Sequence, residues 1–448
     1  MLSYKVKELK KDDLKQSIAR MNFPIEGQVV DVVGSVIEAY LPMARLGALC
    51  RIKVDENRLA LAEVVGFRSK KVLLLPYSSL SGISPGAPII GRSMLDTAKV
   101  STDLLGCVVD PFLEPLMGTF EASKVPFEEV IVDKDPPNPM LRSRIVQPLS
   151  LGIKAIDGLL TFGEGQRIGI MAGSGVGKSV LMGMIAKYSD SDVNVIGLIG
   201  ERGREVREFI ENDLGEEGLK RSVVVVVTSD QSPLMRLRAA KLVTAIGEYF
   251  SGKGKKVLLM MDSLTRVAQA QREIGLAVGE PPTSKGYPPS VYAVLPRLLE
   301  RCGPQPLGRG SISGIYTVLV DGDDFNDPIP DAARAILDGH INLSRSLAAS
   351  NHYPAIEVHT SVSRVMKEIV DVHHLDLAGK MKSLIALYQE NIDLIQLGSY
   401  ARGSNLDLDL AIELMPQIRA FLAQGMHERS DIHKSIQKMQ SILMRQES

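Results

Sequence analysis

Tryptophan is absent from the 448 residues, and 10 Phe with 11 Tyr bring the aromatics to only 5%. That is too few for the rows of stacking platforms on which single-stranded nucleic acid is held. No charge of one sign dominates: 52 Lys and Arg stand against 53 Asp and Glu, a formal net charge of −1. No global positive field therefore gathers nucleic acid or anionic membranes, and any such contact must be local. The three cysteines, Cys50, Cys107 and Cys302, lie far apart and form no CxxC pair. They indicate neither a disulfide framework nor a zinc site, and a reducing cytoplasm is expected. Long hydrophobic runs are missing too. Runs such as 223–227 and 257–261 reach about five residues, against the ~20 that a membrane-spanning helix needs. The N-terminus has no apolar signal core, and Glu8, Asp12 and Asp13 argue against a transit peptide. His352, His359, His373 and His374 lack the spacing of a buried metal triad and are assigned to packing or surface.

What is present is a chain with 45% hydrophobic and 23% charged residues and no low-complexity tract, the profile of a globular protein with room for about three domains. Residues 1–24 carry six cations (Lys5, Lys7, Lys10, Lys11, Lys15, Arg20) around a thin apolar stripe of Val6, Leu9, Leu14 and Ile18. The spacing predicts a terminal helix, solvated or docked on a partner or on anionic lipid. From 25 to about 92, short β-type runs (28–33, 36–39, 49–54, 59–65, 71–75) alternate with Gly and Pro, the signature of a small barrel or sandwich. After the Pro-rich connector 133–139, strands alternate with helical segments, which implies a parallel sheet covered by helices. The expected strands are 167–171, 193–199, 223–228, 257–261 and 315–320, Val/Ile/Leu-rich as strands buried on both faces are. Beyond residue 371 the chain reads as helices at 377–389, 406–424 and 428–445. The expected layout is therefore an α/β nucleotide domain over 93–370, a barrel before it and a helical domain over 371–448.

The segment 167–182, Arg-Ile-Gly-Ile-Met-Ala-Gly-Ser-Gly-Val-Gly-Lys-Ser-Val-Leu-Met, runs from a strand through a Gly-rich turn into a helix. This is the context of a Walker A phosphate loop. Gly173, Gly175 and Gly177 let backbone amides turn inward beside Ser174 and Val176, and the helix N-terminus adds its own positive end. Lys178 reaches the β and γ phosphates of ATP, and the Ser179 hydroxyl ligates Mg2+, with Val180 in the first turn. Ala172 stands where the strict pattern has Gly, which is tolerable if its φ is negative. Asp262 follows the apolar run 257–261 and so occupies a Walker B position, opposite Ser179 on the metal. Glu201 follows 195–200. In open α/β sheets ligands bind at the carboxyl ends of the strands, so Glu201 should converge with Asp262 beside the loop and polarise the attacking water. Arg204 and Arg207 are expected to pair with nearby glutamates on a helix surface.

The motifs Gly-Glu-Arg-Gly-Arg-Glu (200–205), Asp-Ser-Leu-Thr-Arg (262–266), Lys-Gly-Tyr-Pro-Pro-Ser (285–290), Asp-Gly-His-Ile (338–341), Tyr-Pro-Ala-Ile-Glu (353–357) and Ser-Val-Ser-Arg (361–364) follow the loop in order. Together they resemble the hexameric ATPases of flagellar export and type III secretion, themselves similar to rotary ATP synthase subunits. The resemblance runs from about residue 25 to the C-terminus. It implies a β-barrel, a RecA-like P-loop domain and a helical domain in a homohexamer. It also implies Tyr353 as the aromatic on the adenine ring, Arg364 as an arginine finger reaching the neighbouring subunit's nucleotide, and Arg202 and Arg266 near the γ phosphate.

The implied function is a motor that unfolds export substrates or releases them from chaperones. Its implied partners are a stator-type regulator at the N-terminus, a central stalk protein facing the loop 285–290 and a membrane export gate; it is implied to be cytoplasmic, peripheral to the inner membrane, with no nucleic acid. The sequences around 174–180 and 361–366 look more like the flagellar branch. Alternatives are a catalytic rotary synthase subunit, a Rho-like RNA translocase and a nucleotide-binding scaffold without turnover. Two departures from the family pattern fall at Cys107 and Leu113, where relatives have Arg and Gly, so an altered turn is expected there. At Cys302 relatives often have Ala.

Overall fold

The computed structural model describes residues 25–91, 96–118, 126–306, 309–320 and 327–444. The N-terminal helix expected over 1–24 lies outside them, as does the last residue of the helix expected over 428–445. The chain forms two compact units, the first from the segments before residue 97 and 274–280, the second from the rest.

In the first unit, β1 (Ile25–Val33), β2 (Val36–Tyr40), β3 (Leu49–Lys53), β4 (Leu59–Arg68), β5 (Lys71–Pro76) and β6 (Pro88–Gly91) close into an antiparallel barrel, in the order β1-β2-β5-β4-β3-β6. Alternate residues point inward, as the period of a strand requires. Ile37, Ala39, Ile52, Ala60, Ala62, Val64, Leu74 and Ile89 thereby form a dry interior. The sequence left barrel and sandwich open. The decision lies in β6, which pairs with both β1 and β3 and was hidden because Pro88 read as a turn residue.

The second unit holds β7 (Thr97–Val100), β8 (Val108–Val109), β9 (Pro115–Met117), β10 (Glu128–Ile131), β11 (Arg167–Ala172), β12 (Val193–Glu201), β13 (Ser222–Thr228), β14 (Lys256–Asp262), β15 (Gly303–Pro304), β16 (Ser311–Leu319), β17 (Gly339–Asn342) and β18 (Val362–Ser363). Its large sheet runs β18-β17-β11-β16-β14-β12-β13-β8-β9, with β15 against β16. The five strands expected from sequence are its centre, β11-β16-β14-β12-β13, joined by parallel pairings. They are buried along almost their whole length, so their apolar side chains are covered on both faces. The edge strands, two to four residues long, carry no periodicity a sequence could show.

Three C-terminal helices, Val372–Glu390, Leu406–Leu422 and Ile432–Leu443, pack into the same core as the phosphate-loop helix. Their ends are set by caps that the apolar pattern did not show. Asp371 accepts from His374 N, Asn405 from Asp407 N and Leu408 N, and Asp431 from Lys434 N. The third helix therefore starts at 432 rather than 428.

Two further expectations change. The segment 285–290 is not all loop: a 3-10 turn covers Ser284–Gly286, and Pro289, suited by its fixed φ to a first helical position, opens the helix Pro289–Leu299. Leu113 adopts the left-handed conformation of a glycine, with φ 66°. Asp110 holds the turn by accepting from Phe112 N (2.7 Å) and Glu114 N (2.9 Å), and the Leu113 side chain is buried.

Candidate active site

The strand β11 ends at Ala172, and residues 173–177 turn into the helix Lys178–Tyr188. Ala172 is not among the residues with positive φ, whereas Gly175 (78°) and Gly177 (85°) are. At Gly177 two constraints coincide. A side chain would be strained by the left-handed backbone, and its Cβ would come within 3.2 Å of the Tyr353 ring. A Cβ at Gly173 would lie 2.8 Å from the Arg345 guanidinium. The loop is thus packed closely by an aromatic ring and a cation, with the free amides of an 11-residue helix opening at Lys178. Val176 is buried, while Ser174 and Val180 are exposed.

Glu201 and Asp262 close neighbouring strands, β12 and β14, with Leu198 level with Asp262. A register shift at Gly200 (φ 72°) separates Glu201 from the regular pairing of β12 with β13. The two acids meet the loop through its lysine: Lys178 Nζ lies 2.5 Å from Asp262 Oδ1 and 3.7 Å from Glu201 Oε1. The same Asp262 oxygen accepts from Thr317 Oγ1 at 2.6 Å. Burial disfavours the Lys178 ammonium, but the carboxylates of Asp262 and Glu201 outweigh it and hold its pKa above the usual lysine value. For Glu201, burial and then the charge of Asp262 act together against Lys178, and its pKa is pushed up to about 7. Its Oε1 is buried and accepts no hydrogen bond, an unfilled capacity that suits an incoming water.

Ser179 and Asp262 are hard oxygen donors of the kind Mg2+ takes. The described residues hold no cluster of three or more His, Cys, Asp or Glu able to bind a metal. The oxygen donors fit an ion whose remaining ligands are phosphates and water, the usual state of protein-bound magnesium.

The arginines separate. Arg266 packs on the Glu201 turn: a Cβ at Gly200 would lie 3.0 Å from its own Cβ, its Nη1 donates to Gln269 at 2.9 Å, and its buried Nε has no hydrogen-bond partner. Arg202 extends into solvent, its side chain 82% exposed beside Glu205, and Arg207 pairs with Glu211 on the surface. Arg364 is exposed and donates to Arg334 O at 3.1 Å, while its backbone N donates to Asp338 O. Asp338 binds Arg167 at the start of β11, the end opposite the phosphate loop. Arg364 is therefore not brought to the loop of its own chain.

Tyr353 is 40% exposed against Gly177. Its carbonyl accepts from Gln424 N at 2.9 Å. The buried Gln424 side chain donates to Gly152 O and Glu428 O and accepts from Lys154 N, at 2.7–2.8 Å. Thr317, Gln424 and Arg345 all escaped the sequence reading. None sits in a motif with its own chemistry, and a hydroxyl inside a buried strand gains meaning only once the strand order is known.

Three family models cover most of the chain. The ATP synthase alpha/beta family nucleotide-binding domain matches residues 152–363, the beta-barrel domain of that family 29–91, and the T3SS EscN ATPase C-terminal domain 370–441. The flagellum-specific ATP synthase of Bacillus subtilis is 53% identical over 93% of this chain and 94% of its own length. The type 3 secretion system ATPase of Xanthomonas euvesicatoria is 49% identical over 93% of each. Among solved structures, the assembled ATPase EscN of the enteropathogenic E. coli type III secretion system superposes with a TM-score of 0.86 at 46% identity, over 93% of this chain and all of that one. EscN in complex with its central stalk EscO gives 0.84 at 45%, with the same coverage. The chain belongs to the flagellar and type III secretion branch of the ATP synthase alpha/beta family, a family of ATP-hydrolysing enzymes of protein export.

Proposed function

We propose that this protein hydrolyses MgATP at the interfaces of a homohexamer and uses the energy to unfold export substrates or release them from chaperones. The amides of 173–177 and Lys178 bind the phosphates, Ser179 and Asp262 hold Mg2+, and Tyr353 packs on the base. Glu201 orients the attacking water and takes its proton, a role for which a carboxyl poised near neutrality is suited. Arg266 steadies the turn that carries Glu201, and Arg202 approaches the γ phosphate from the surface. Mg2+, when bound, neutralises charge on the β and γ phosphates.

The observation that carries this reading is the meeting of Lys178, Glu201 and Asp262 at adjacent strand ends, with Arg364 at the other end of β11. A guanidinium so placed is of use to a neighbour's nucleotide. A finger supplied in trans raises phosphoryl-transfer rates by ~10³–10⁵ in enzymes that use one. Domain limits of 25–92, 93–370 and 371–448 serve this scheme, with 1–24 as the docking segment for a stator-type regulator. A central stalk and a membrane export gate complete the assembly, which works in the cytoplasm against the inner membrane. The C-terminal model matched is that of a secretion ATPase, which favours export over rotary synthesis; the flagellar system is preferred over an injectisome on the sequences around 174–180 and 361–366.

Size-exclusion chromatography of the chain expressed alone, with phosphate release assayed across the fractions, tests the scheme. Specific activity should concentrate in the oligomer fractions. Undiminished turnover in monomer fractions would contradict it.

A further inference from the structure

Resting on that reading of Asp262 and Lys178, the structure points to a residue the reaction needs but no motif marks. Lys178 and Thr317 share one oxygen of Asp262, at 2.5 Å and 2.6 Å. A phosphate-loop lysine serves the nucleotide only by leaving that oxygen for the phosphates. Asp262 then loses its strongest partner at the moment when its orientation must be most exact. Thr317 has no such competing duty. It is fully buried in β16, whose register with β14 places Tyr316 level with Met261. The end of β16 is further tied to the turn after Asp262, since Leu319 N donates to Thr265 Oγ1 at 2.9 Å. A hydroxyl buried to 0% exposure requires a partner, and here that partner is Asp262.

We propose that Thr317 is a positioning residue: its hydroxyl holds Asp262 Oδ1 in place while Lys178 transfers from the carboxylate to the nucleotide, so that Asp262 presents a fixed oxygen to Mg2+. No bond is made or broken by Thr317 itself. Its effect passes through Asp262.

The test compares T317V, which keeps the shape and removes the donor, with T317S, which restores it, in the full-length protein. Three quantities are read: binding of a fluorescent ATP analogue in EDTA, the Mg2+ concentration giving half-maximal tightening of that binding, and the melting temperature. In T317V the Mg2+ half-point should rise about tenfold and kcat fall with it, while binding in EDTA stays within about twofold of the native protein; T317S should recover the native Mg2+ half-point. A T317V protein with a native Mg2+ half-point would overturn the proposal. So would T317S behaving like T317V when both melt as the native protein does. Should T317V not fold, T317A read by the same Mg2+ titration decides in the same way. D262N, run in parallel, separates the two levels of the argument. If D262N abolishes the Mg2+ effect and T317V leaves it intact, Thr317 alone is misassigned. If D262N also leaves it intact, the reading of Asp262 fails and the proposal with it.

Discussion

At the scale of single residues, the chemistry turns on one carboxyl. Glu201 is buried beside Asp262, and the two together lift its pKa to about 7, so it changes charge within the working range of the enzyme. In its proposed role as base it must be deprotonated, and kcat/KM should rise with pH through a limb near 7. E201Q should remove that limb and lower kcat by ~10²–10⁴, with ATP still bound; a variant keeping the native pH profile would remove Glu201 from the reaction. The same shift has a stability counterpart of opposite sense. Because the folded state holds its proton more tightly than the unfolded chain, native stability falls as pH rises from about 4.5 towards 7. E201Q lacks this loss and, without nucleotide, should be the more stable protein at pH 8 by roughly 1–3 kcal/mol. Thermal melts of both proteins at pH 5 and pH 8 check the sign. Equal pH dependence in the two would show that the burial of Glu201 has no energetic effect.

Between elements, what matters is how Tyr353, the ring proposed to pack on the base, is held. Tyr353 is fixed through its carbonyl to Gln424, and Gln424 in turn binds backbone groups at Gly152, Lys154 and Glu428. The backbone N–H of Gln424 thus holds the Tyr353 carbonyl, and its buried side-chain amide joins the end of the helix Leu406–Leu422 to the segment before β11. Truncating it leaves several buried partners unpaired, at ~1–3 kcal/mol for such a group. Q424A should lower the melting temperature and raise the KM for ATP by several-fold more than it lowers kcat. A normal KM would confine Gln424 to scaffolding. Much of the frame around this pair was legible beforehand. The five central strands were readable because doubly buried strands must be apolar along their whole length, and Lys178, Glu201 and Asp262 because strand ends in a parallel sheet converge. The edges β8, β9, β17 and β18 were not, being too short for a period. Nor were Thr317 and Gln424, whose partners Asp262 and Gly152 lie 55 and 272 residues away and are set by packing alone. Leu113 shows the reverse case. A residue type that argued against a left-handed turn occupies one, because Asp110 closes the turn from its side chain and burial of the leucine offsets the backbone cost.

For the whole molecule, the cluster at Lys178 holds both acids and the candidate metal donors, with Arg345 packed against Gly173 of the loop, while the arginine proposed as the finger is not among these groups. Arg364 stands at the opposite end of β11, so in the proposed scheme the complete site is built from two protomers. On that scheme turnover depends on assembly. The most direct measurement mixes two inactive variants, K178A, which lacks the phosphate-binding lysine but keeps the finger, and R364A, which keeps the cradle but lacks the finger. Interfaces in mixed rings that pair an R364A cradle with a K178A finger contain every group, so phosphate release should recover to a sizeable fraction of the native rate on mixing. If the mixture stays as inactive as its parts while size-exclusion chromatography shows mixed oligomers, Arg364 does not act across the interface and the account fails.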